Sequence, residues 1–279
     1  FLILGLVLMI IQQMYGEIAL RTTQNHRLPG YSRIYLNRGA EFTNYITTII
    51  GLAGSLLAYI IIGGQFLTNL FNPFLGGSTL IYSTVFFIAG SLLIYFGSGP
   101  VSKTEFLSLA IFFIVLFILF FKSLPHINLE YFRTTNLDYF FLPYGVILFS
   151  LGGIAVVPEL KEMLRHDEKS MKRIITIGIL IPILTYLIFI ITIFGVTGPN
   201  TTQEGMIGFN KFFGNGIAQL GFIFGVITTF TSFLTLGITL KKEFMYDLGV
   251  HPMPAWIFTC LPPYILFLIG LKDFIGIIG

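Results

Sequence analysis

The sequence predicts an all-α polytopic membrane protein, and its composition carries most of that prediction. Of 279 residues, 55% are hydrophobic and 10% are charged, whereas a soluble domain carries about 25% charged residues. The mean hydropathy is +0.87. The 31 Phe and 30 Gly residues are typical of closely packed membrane helices. These figures exclude a water-soluble enzyme and a disordered chain.

Charge and cysteine content exclude two further classes. A net charge of +3 is too small to form a phosphate-binding stripe, which excludes a nucleic-acid-binding protein. Cys260 is the single cysteine, so an intrachain disulfide framework and a cysteine zinc cluster are excluded.

A membrane-spanning helix needs about 20 mostly apolar residues, and the charge-free intervals have room for eight. The longest interval, 42–102, holds two spans separated by the turn-rich segment Asn69–Ser78. The predicted spans lie near residues 1–20, 43–65, 79–97, 105–122, 138–165, 172–195, 214–240 and 254–271. We expect one transmembrane transporter domain over residues 1–279.

The basic residues alternate between connections. Twelve of the 16 Lys and Arg residues lie in connections 21–42, 98–104, 159–173 and 240–253. Because cytoplasmic loops are enriched in Lys and Arg, these four connections are predicted to be cytoplasmic and the first span to run inward. The expected location is a multi-pass protein of the plasma (cell inner) membrane.

The two ends of the chain predict a piece of a longer protein. Phe1 is not an initiator methionine, and no basic segment precedes the first apolar run as it would in a signal peptide. Residues 273–279 resemble the opening of another apolar helix. We therefore expect truncation at both ends, and such a piece to insert without transporting.

Two long connections hint at an inverted repeat. Connections 21–42 and 196–213 lie on opposite sides of the predicted membrane, and each precedes a long span rich in small residues. Similar pieces in opposite orientation are what an inverted repeat predicts, and the first three spans would match the sixth to eighth. Two long loops also arise by chance.

The fifth span is predicted to be discontinuous. Gly152 and Gly153 lie near mid-membrane and Pro158 follows; each Gly costs about 1 kcal/mol and Pro about 3 kcal/mol relative to Ala inside a helix. A broken helix persists in a membrane only where its backbone lines a polar cavity. Pro158 and Glu159 suit the first turn of an inner half-helix. The alternative is a kink with close glycine packing.

Two spans carry stripes of small and hydroxyl residues. One comprises Gly51, Ser55, Tyr59 and Gly63, and the other Gly221, Gly225, Thr228, Ser232, Thr235 and Thr239, with Thr229 and Thr231 beside it. Small residues at this spacing mostly indicate helix packing. The hydroxyls either ligate a cation or substrate, or bond back to their own helix.

Chemical motifs are informative by their absence. The sequence has no HExxH, GxSxG, CxxC or P-loop pattern, so hydrolysis, redox chemistry and ATP-driven work have no support. Glu17 is expected to reach the membrane interface. The histidines lie in loops or at span edges, and they predict no proton wire.

Three segments of the sequence carry a family resemblance. Tyr15–Tyr31 (YGEIALRT…HRLPGY) resembles the second helix, and the loop after it, of the amino acid/auxin permeases and the related aromatic amino acid permeases. Phe149–Glu159 (FSLGGIAVVPE) resembles their discontinuous sixth helix, and Thr231–Gly249 (TSFLTLG…KKEFMYDLG) their eighth helix and its cytoplasmic exit. The resemblance implies a leucine-transporter-like fold, with two inverted five-helix repeats around a midplane site. This chain would supply the second to ninth helices and the start of the tenth.

The resemblance also implies a site. It places the carbonyl groups of Phe149, Ser150 and Leu151 at the substrate amine, with Gly152 and Gly153 leaving room for the substrate backbone. Tyr59 and Thr228 would face the same site. Thr231 and Ser232 match hydroxyls that ligate sodium in sodium-coupled members, and the sequence shows no mid-membrane carboxylate that would carry protons instead.

We therefore expect a secondary active transporter, a symporter that carries a neutral or aromatic amino acid inward by alternating access. It would have no catalytic residues, metal or cofactor, and its partners would be the amino acid and membrane lipid. Sodium and protons both remain open as the coupling ion, and the oligomeric state is open. The alternatives are an uncoupled facilitator or channel using the same cavity, and a non-transporting membrane receptor or scaffold.

Overall fold

The computed structural model describes residues 1–97, 101–133, 141–164, 168–202, 205 and 215–271, and the regular structure in this part of the chain is entirely helical. The α-helices are α1 (Leu2–Arg21), α2 (Leu28–Tyr35), α3 (Arg38–Leu75), α4 (Thr79–Phe96), α5 (Val101–Ser123), α6 (Leu142–Ser150), α7 (Val157–Met163), α8 (Glu168–Thr197), α9 (Asn215–Tyr246) and α10 (Pro252–Leu268). Short 3₁₀ turns occupy Leu124–His126, Leu129–Arg133, Ile154–Val156 and Gly198–Asn200.

Seven helical segments in the described residues are long and apolar enough to cross a membrane. They correspond to the first seven predicted spans, with α6 and α7 together forming the fifth. The eighth predicted span, 254–271, is only partly confirmed, because the helix found there, α10, has 17 residues. At 1.5 Å per residue it measures about 26 Å, less than the hydrocarbon thickness of about 30 Å.

The second span is longer than the sequence predicts. Helix α3 runs for 38 residues and includes Pro73, so the predicted turn at Asn69–Ser78 is wrong except for residues 76–78. Pro73 lies in the last turn, where a kink disrupts little of the helix. The helix ends at Gly76, whose backbone N–H bonds to the Asn72 carbonyl and whose φ of 65° suits glycine.

The connection 21–42 is also partly helical, because it contains α2. The start of α3 is fixed by Asn37, whose side chain accepts a hydrogen bond of 2.9 Å from the backbone N–H of Ala40. The counterpart connection of the predicted repeat, 196–213, falls largely on residues 203–204 and 206–214, which lie outside the described residues.

The predicted discontinuity in the fifth span is confirmed. Helix α6 ends at Ser150, residues 151–153 are not helical, and a 3₁₀ turn leads into α7 at Val157. Pro158 and Glu159 lie in the first turn of α7, as predicted. The start of this span at 138 lies outside the described residues.

The break in the fifth span lies between two hydrophobic cores. Leu151 and Val157 belong to a core shared with α1 and α8, which includes Leu8 and Ile179. Ala155 packs instead against a core built from α3, α4, α9 and α10. A third core joins α3, α5, α8 and α9. The non-helical residues are therefore held from both sides by packed helices.

Three of the four basic connections meet at one end of the bundle, which we call the basic end. The Lys161 ammonium donates to the carbonyls of Thr22 (2.6 Å) and Gln24 (2.9 Å), just beyond the end of α1. Lys241 donates to the carbonyls of Ile94 and Tyr95 at the end of α4. Cations at helix C-termini stabilise the free carbonyl groups there. That the basic end faces the cytoplasm stays a prediction.

Candidate functional site

The broken span exposes carbonyl groups that receive donors from two neighbouring helices. The Tyr186 hydroxyl donates to the Ser150 carbonyl at 3.2 Å. The Gln12 side-chain amide donates to the Leu151 carbonyl at 3.3 Å, and the backbone N–H of Gly153 donates to the same oxygen at 2.8 Å. Phe149, the third predicted carbonyl ligand, accepts from the N–H of Gly152. A substrate ammonium at this position would share or displace these donors.

Sequence reasoning missed Gln12 and Tyr186. Gln12 lies in the middle of the first apolar span and is buried. A buried amide in a membrane helix requires a hydrogen-bond partner, and the partner here is the carbonyl that the broken helix leaves free. An uncharged polar residue within an otherwise apolar run was the signal available in the sequence.

Gly152 and Gly153 provide space rather than unusual backbone conformation. Gly153 has φ −89° and ψ 5°, values open to other residues. A Cβ atom on Gly153 would lie 3.1 Å from both polar atoms of the Gln12 amide. A Cβ atom on Gly152 would lie 3.0 Å from the carbonyl oxygen of Leu148. A larger residue at either position would therefore crowd the polar groups at the break.

An aromatic ring from α3 packs against the end of α6. The Tyr59 ring lies 6.1 Å from the Phe149 ring between centroids, within the range of aromatic pairs. The Ser232 side chain on α9 also lies beside the Tyr59 hydroxyl. The structure thus joins three predicted site residues from α3, α6 and α9.

The hydroxyl stripe of α9 bonds largely to its own helix. Thr228 donates to the carbonyl of Phe224 at 3.0 Å, and Thr231 donates to that of Thr228 at 3.1 Å. The alternative of bonding back to the helix is thus confirmed for these two residues. A hydroxyl that donates its hydrogen keeps its oxygen lone pairs, so a role in ligation stays a prediction.

The glycine stripes serve close helix packing at most of their positions. A Cβ atom on Gly63 would overlap the ring of Phe86, and one on Gly225 would meet the Phe66 ring at 2.5 Å. The packing interpretation is confirmed there. Gly51 differs, because a Cβ atom there would meet no other atom within 4 Å, and Gly51 lines a cavity.

This cavity of about 210 Å³ extends from the break to the basic end. Gly152 and Pro158 line it near the break, whereas Arg27 and Glu243 line it near the basic end. Small-molecule sites begin at roughly 300 Å³. The cavity is therefore too small to be the complete substrate site. Because its lining includes residues of both the break and the basic end, we call it the passage.

Four charged side chains, which we call the ion-pair cluster, lie where this passage meets the basic end. The Arg27 guanidinium contacts Glu159 at 2.6 Å and Glu162 at 3.1 Å. Lys242 contacts Glu159 at 2.6 Å and Glu162 at 3.7 Å. The side chain of Arg27 is only 3% exposed. The cluster links the α1–α2 connection, α7 and α9.

Asp247, which directly follows α9, bonds to the connection between α1 and α2. It accepts the backbone N–H of Arg27 at 3.1 Å and lies 3.2 Å from the ring of His26. Burial raises the pKa of Asp247 above its ordinary value, although the bonds from His26 and Arg27 act in the opposite direction. A Cβ atom on Gly30 would lie 2.6 Å from Asp247, so this close approach requires glycine.

Sequence reasoning also missed Glu243, which lies at the basic end. It is fully buried, although it directly follows Lys241 and Lys242 in the chain. The signal was in the spacing: the stripe of α9 continues by steps of four from Thr239 to Glu243 and Asp247. Those positions share the helix face that lines the cavity.

The three segments that resembled permeases therefore meet around one side chain. Arg27 belongs to the first, Glu159 to the second, and the third supplies Asp247 together with Tyr246, whose ring lies 5.4 Å from the guanidinium carbon of Arg27. A family model described as the tryptophan/tyrosine permease family matches residues 1–275. The chain belongs to the tryptophan/tyrosine permease family. Among curated proteins, no match was found.

Family membership confirms the predicted resemblance and selects its aromatic branch. The chain is a membrane amino acid permease with several helical spans, a transporter rather than an enzyme. An aromatic amino acid is the substrate that the family implies. In this permease, the break beside Tyr59 and Phe149 is the candidate substrate site.

Proposed function

We propose that this permease is a secondary active symporter that carries an aromatic amino acid inward by alternating access. The observation that carries the proposal is the broken fifth span. Its free carbonyl groups adjoin aromatic rings and open onto a passage that ends at a partly buried ion-pair cluster.

The break offers the two kinds of contact that an aromatic amino acid needs. The carbonyl groups of Phe149, Ser150 and Leu151 would accept from the substrate ammonium, replacing donors such as Gln12. Tyr59 and Phe149 would pack against the substrate ring in offset or edge-to-face geometry, which contributes about 0.5–1.5 kcal/mol per aromatic pair beyond burial.

The ion-pair cluster would act as the gate between the substrate site and the cytoplasm. Removing one partner from a fully buried pair costs about 3–5 kcal/mol. This cluster is partly buried, with the Glu159 side chain 21% exposed, so a smaller energy would hold the passage closed unless another interaction compensates. Glu159 lies in the first turn of α7, immediately after the break. Movement of α7 on substrate binding would therefore pull directly on Arg27 and Lys242.

Helix packing supports an inverted-repeat bundle over residues 1–279 as a single domain. The repeat would equate α1 with α8 and α3 with α9. Each of these pairs packs together, as expected for equivalent helices around a pseudo-two-fold axis. We propose the plasma membrane as the location, with the basic end in the cytoplasm.

The proposal leaves the coupling ion open between sodium and protons, and Thr231 and Ser232 are its candidate sodium ligands. Neutral hydroxyl and carbonyl oxygens suit a hard cation. Ser232 lies beside the Tyr59 hydroxyl, so sodium binding would couple directly to a residue of the substrate site. Thr228, one turn earlier on α9, would face the same region.

Uptake into proteoliposomes by the full-length permease tests the proposed function. The panel should include tryptophan, tyrosine, phenylalanine and leucine under imposed Na⁺ or proton gradients. Accumulation of an aromatic amino acid above its outside concentration is expected. Equilibration without accumulation would favour the uncoupled facilitator, and absence of saturable binding would favour the receptor or scaffold.

A further inference from the structure

Glu243 lies on the wall of the passage without the partners that a buried charge requires. Its exposed fraction is 0%, and neither carboxylate oxygen has a hydrogen-bond partner within the described residues. A buried ionised carboxylate that lacks a partner is strongly destabilised, so such groups become neutral or find a counter-charge. An ionisable residue inside a membrane bundle is by default a candidate functional group.

The charged and titratable groups that interact with Glu243 lie on α1, on α3, in the α1–α2 connection and at the end of α9. Tyr15 on α1 and Tyr45 on α3 interact electrostatically with it, and neither hydroxyl has a hydrogen-bond partner in the part of the chain that the structure describes. Asp247, one turn further along, adds a like charge, whereas Arg27 adds an opposite one.

Arg27 interacts both with the carboxyl group of Glu243 and with the ion-pair cluster. Its two terminal nitrogens contact Glu159 and Glu162, so its charge is already compensated by the ion-pair cluster. The Nε atom of Arg27 is buried without a hydrogen-bond partner among the described residues. Arg27 lines the same cavity as Glu243. In this closed arrangement Glu243 is left uncompensated, which favours its protonated form.

The chemistry of the passage favours a proton over a metal cation. The guanidinium of Arg27 would repel Na⁺ in a cavity that both would occupy. A proton needs one carboxylate oxygen and no ligand shell, and the cavity has room for water molecules that would deliver and remove it.

We propose that Glu243 is the group that carries the coupling proton of this permease, an inference that rests on the proposed symport. The carboxyl group holds a proton while the ion-pair cluster is closed and substrate occupies the break. When the cluster opens, the proton passes to water at the basic end. Arg27, released from Glu159 and Glu162, then becomes the counter-charge of the carboxylate, which links proton release to gate opening.

The first test compares Glu243→Gln with wild type and with Glu17→Gln in proteoliposomes. Glu17 is the control because it lies near the same end, on α1, and its side chain is 63% exposed. A gradient of one pH unit should drive about tenfold accumulation in the wild type and in the control, the equivalent of about 1.4 kcal/mol per proton. The Glu243→Gln variant should exchange labelled substrate across the membrane but should not accumulate it.

The outcomes separate this inference from the proposed function. Failure of the wild type to take up any aromatic amino acid would overturn the proposed function. Wild-type accumulation that follows Na⁺ and ignores the proton gradient would overturn the inference alone. Proton-driven accumulation by Glu243→Gln equal to that of the wild type would do the same.

A second measurement covers the case in which Glu243→Gln does not insert. Glu243→Asp keeps a titratable group and should retain proton-driven accumulation with a shifted pH profile. Proton exchange on substrate binding is measured with a pH indicator in lightly buffered detergent solution, using wild type. Absence of any pH-dependent proton uptake or release would overturn the inference.

Discussion

The side-chain amide of Gln12 donates a hydrogen bond to the carbonyl oxygen of Leu151, 3.3 Å away, across the interior of the helical bundle. This bond joins the first span to the break in the fifth. In the membrane interior, water is scarce, so a free carbonyl needs a protein partner. Gln12 therefore stabilises the same non-helical backbone that we propose for substrate binding.

We predict that Gln12→Leu destabilises the permease and weakens substrate binding. Removal of one partner from a buried hydrogen bond costs about 1–3 kcal/mol. The melting temperature in detergent and the KM of uptake measure the two effects. Gln13→Leu is the matched control, because Gln13 bonds to Thr176 away from the break. Equal behaviour of the two variants would contradict a special role for Gln12.

Gly153→Leu should abolish binding of the aromatic substrate while the protein still inserts. The added side chain would collide with the Gln12 amide, which lies 3.1 Å from the Cβ position. Binding of labelled substrate to purified protein measures the effect. Gly178→Leu should bind normally, because no neighbouring atom lies within 4 Å of a Cβ atom there. If Gly153→Leu bound substrate with wild-type affinity, Gly152 and Gly153 would serve helix packing and would not make room for the substrate.

Cysteine labelling tests the orientation. Ser32 lies in the predicted cytoplasmic connection 21–42 but is buried and accepts a hydrogen bond from Asn44. Leu36, in the same connection, is 69% exposed and is the better position. With Cys260 replaced by Ser, Leu36→Cys and Ser170→Cys should react with an impermeant maleimide only from the cytoplasmic side. Thr201→Cys should react only from outside. Cytoplasmic labelling at 201 would reverse the proposed orientation.

Glu159→Gln should open the passage at the basic end. The variant leaves Arg27 and Lys242 with a weaker partner, and the loss of a charged partner in a buried pair costs up to about 3–5 kcal/mol. A cysteine at Thr239, which lines the cavity, should then react at least about tenfold faster from the cytoplasmic side, equivalent to about 1.4 kcal/mol. The same cysteine with Glu17→Gln should keep the wild-type rate. An unchanged rate with Glu159→Gln would remove Glu159 from the gate.

Ser232→Ala tests sodium ligation. If Ser232 and Thr231 bind Na⁺, the variant should weaken the Na⁺ dependence of uptake at least about tenfold, or about 1.4 kcal/mol. Thr185→Val is the control, because its buried hydroxyl donates to its own helix on α8. Wild-type uptake that ignores Na⁺ but follows a proton gradient would leave these hydroxyls as structural groups and would favour Glu243.

The sequence by itself determined the class of protein and the position of its most unusual element. Apolar runs of about 20 residues determine spanning helices because the membrane leaves few other ways to satisfy the backbone. Glycine and proline disfavour a continuous helix whatever surrounds them, so Gly152, Gly153 and Pro158 predict the break from the local sequence alone. The family resemblance could be recognised for the same reason, since its motifs are short stretches of local sequence.

Only the tertiary structure decided which side chains complete the site. Gln12 contacts Leu151 across 139 residues, and Arg27 contacts Glu159 across 132; local patterns carry no information about such pairs. Burial likewise depends on neighbouring helices, which is why the sequence alone did not single out Glu243, a fully buried carboxyl group that follows two lysines on α9. A charged residue's role follows from whether water or protein surrounds it, and packing determines that.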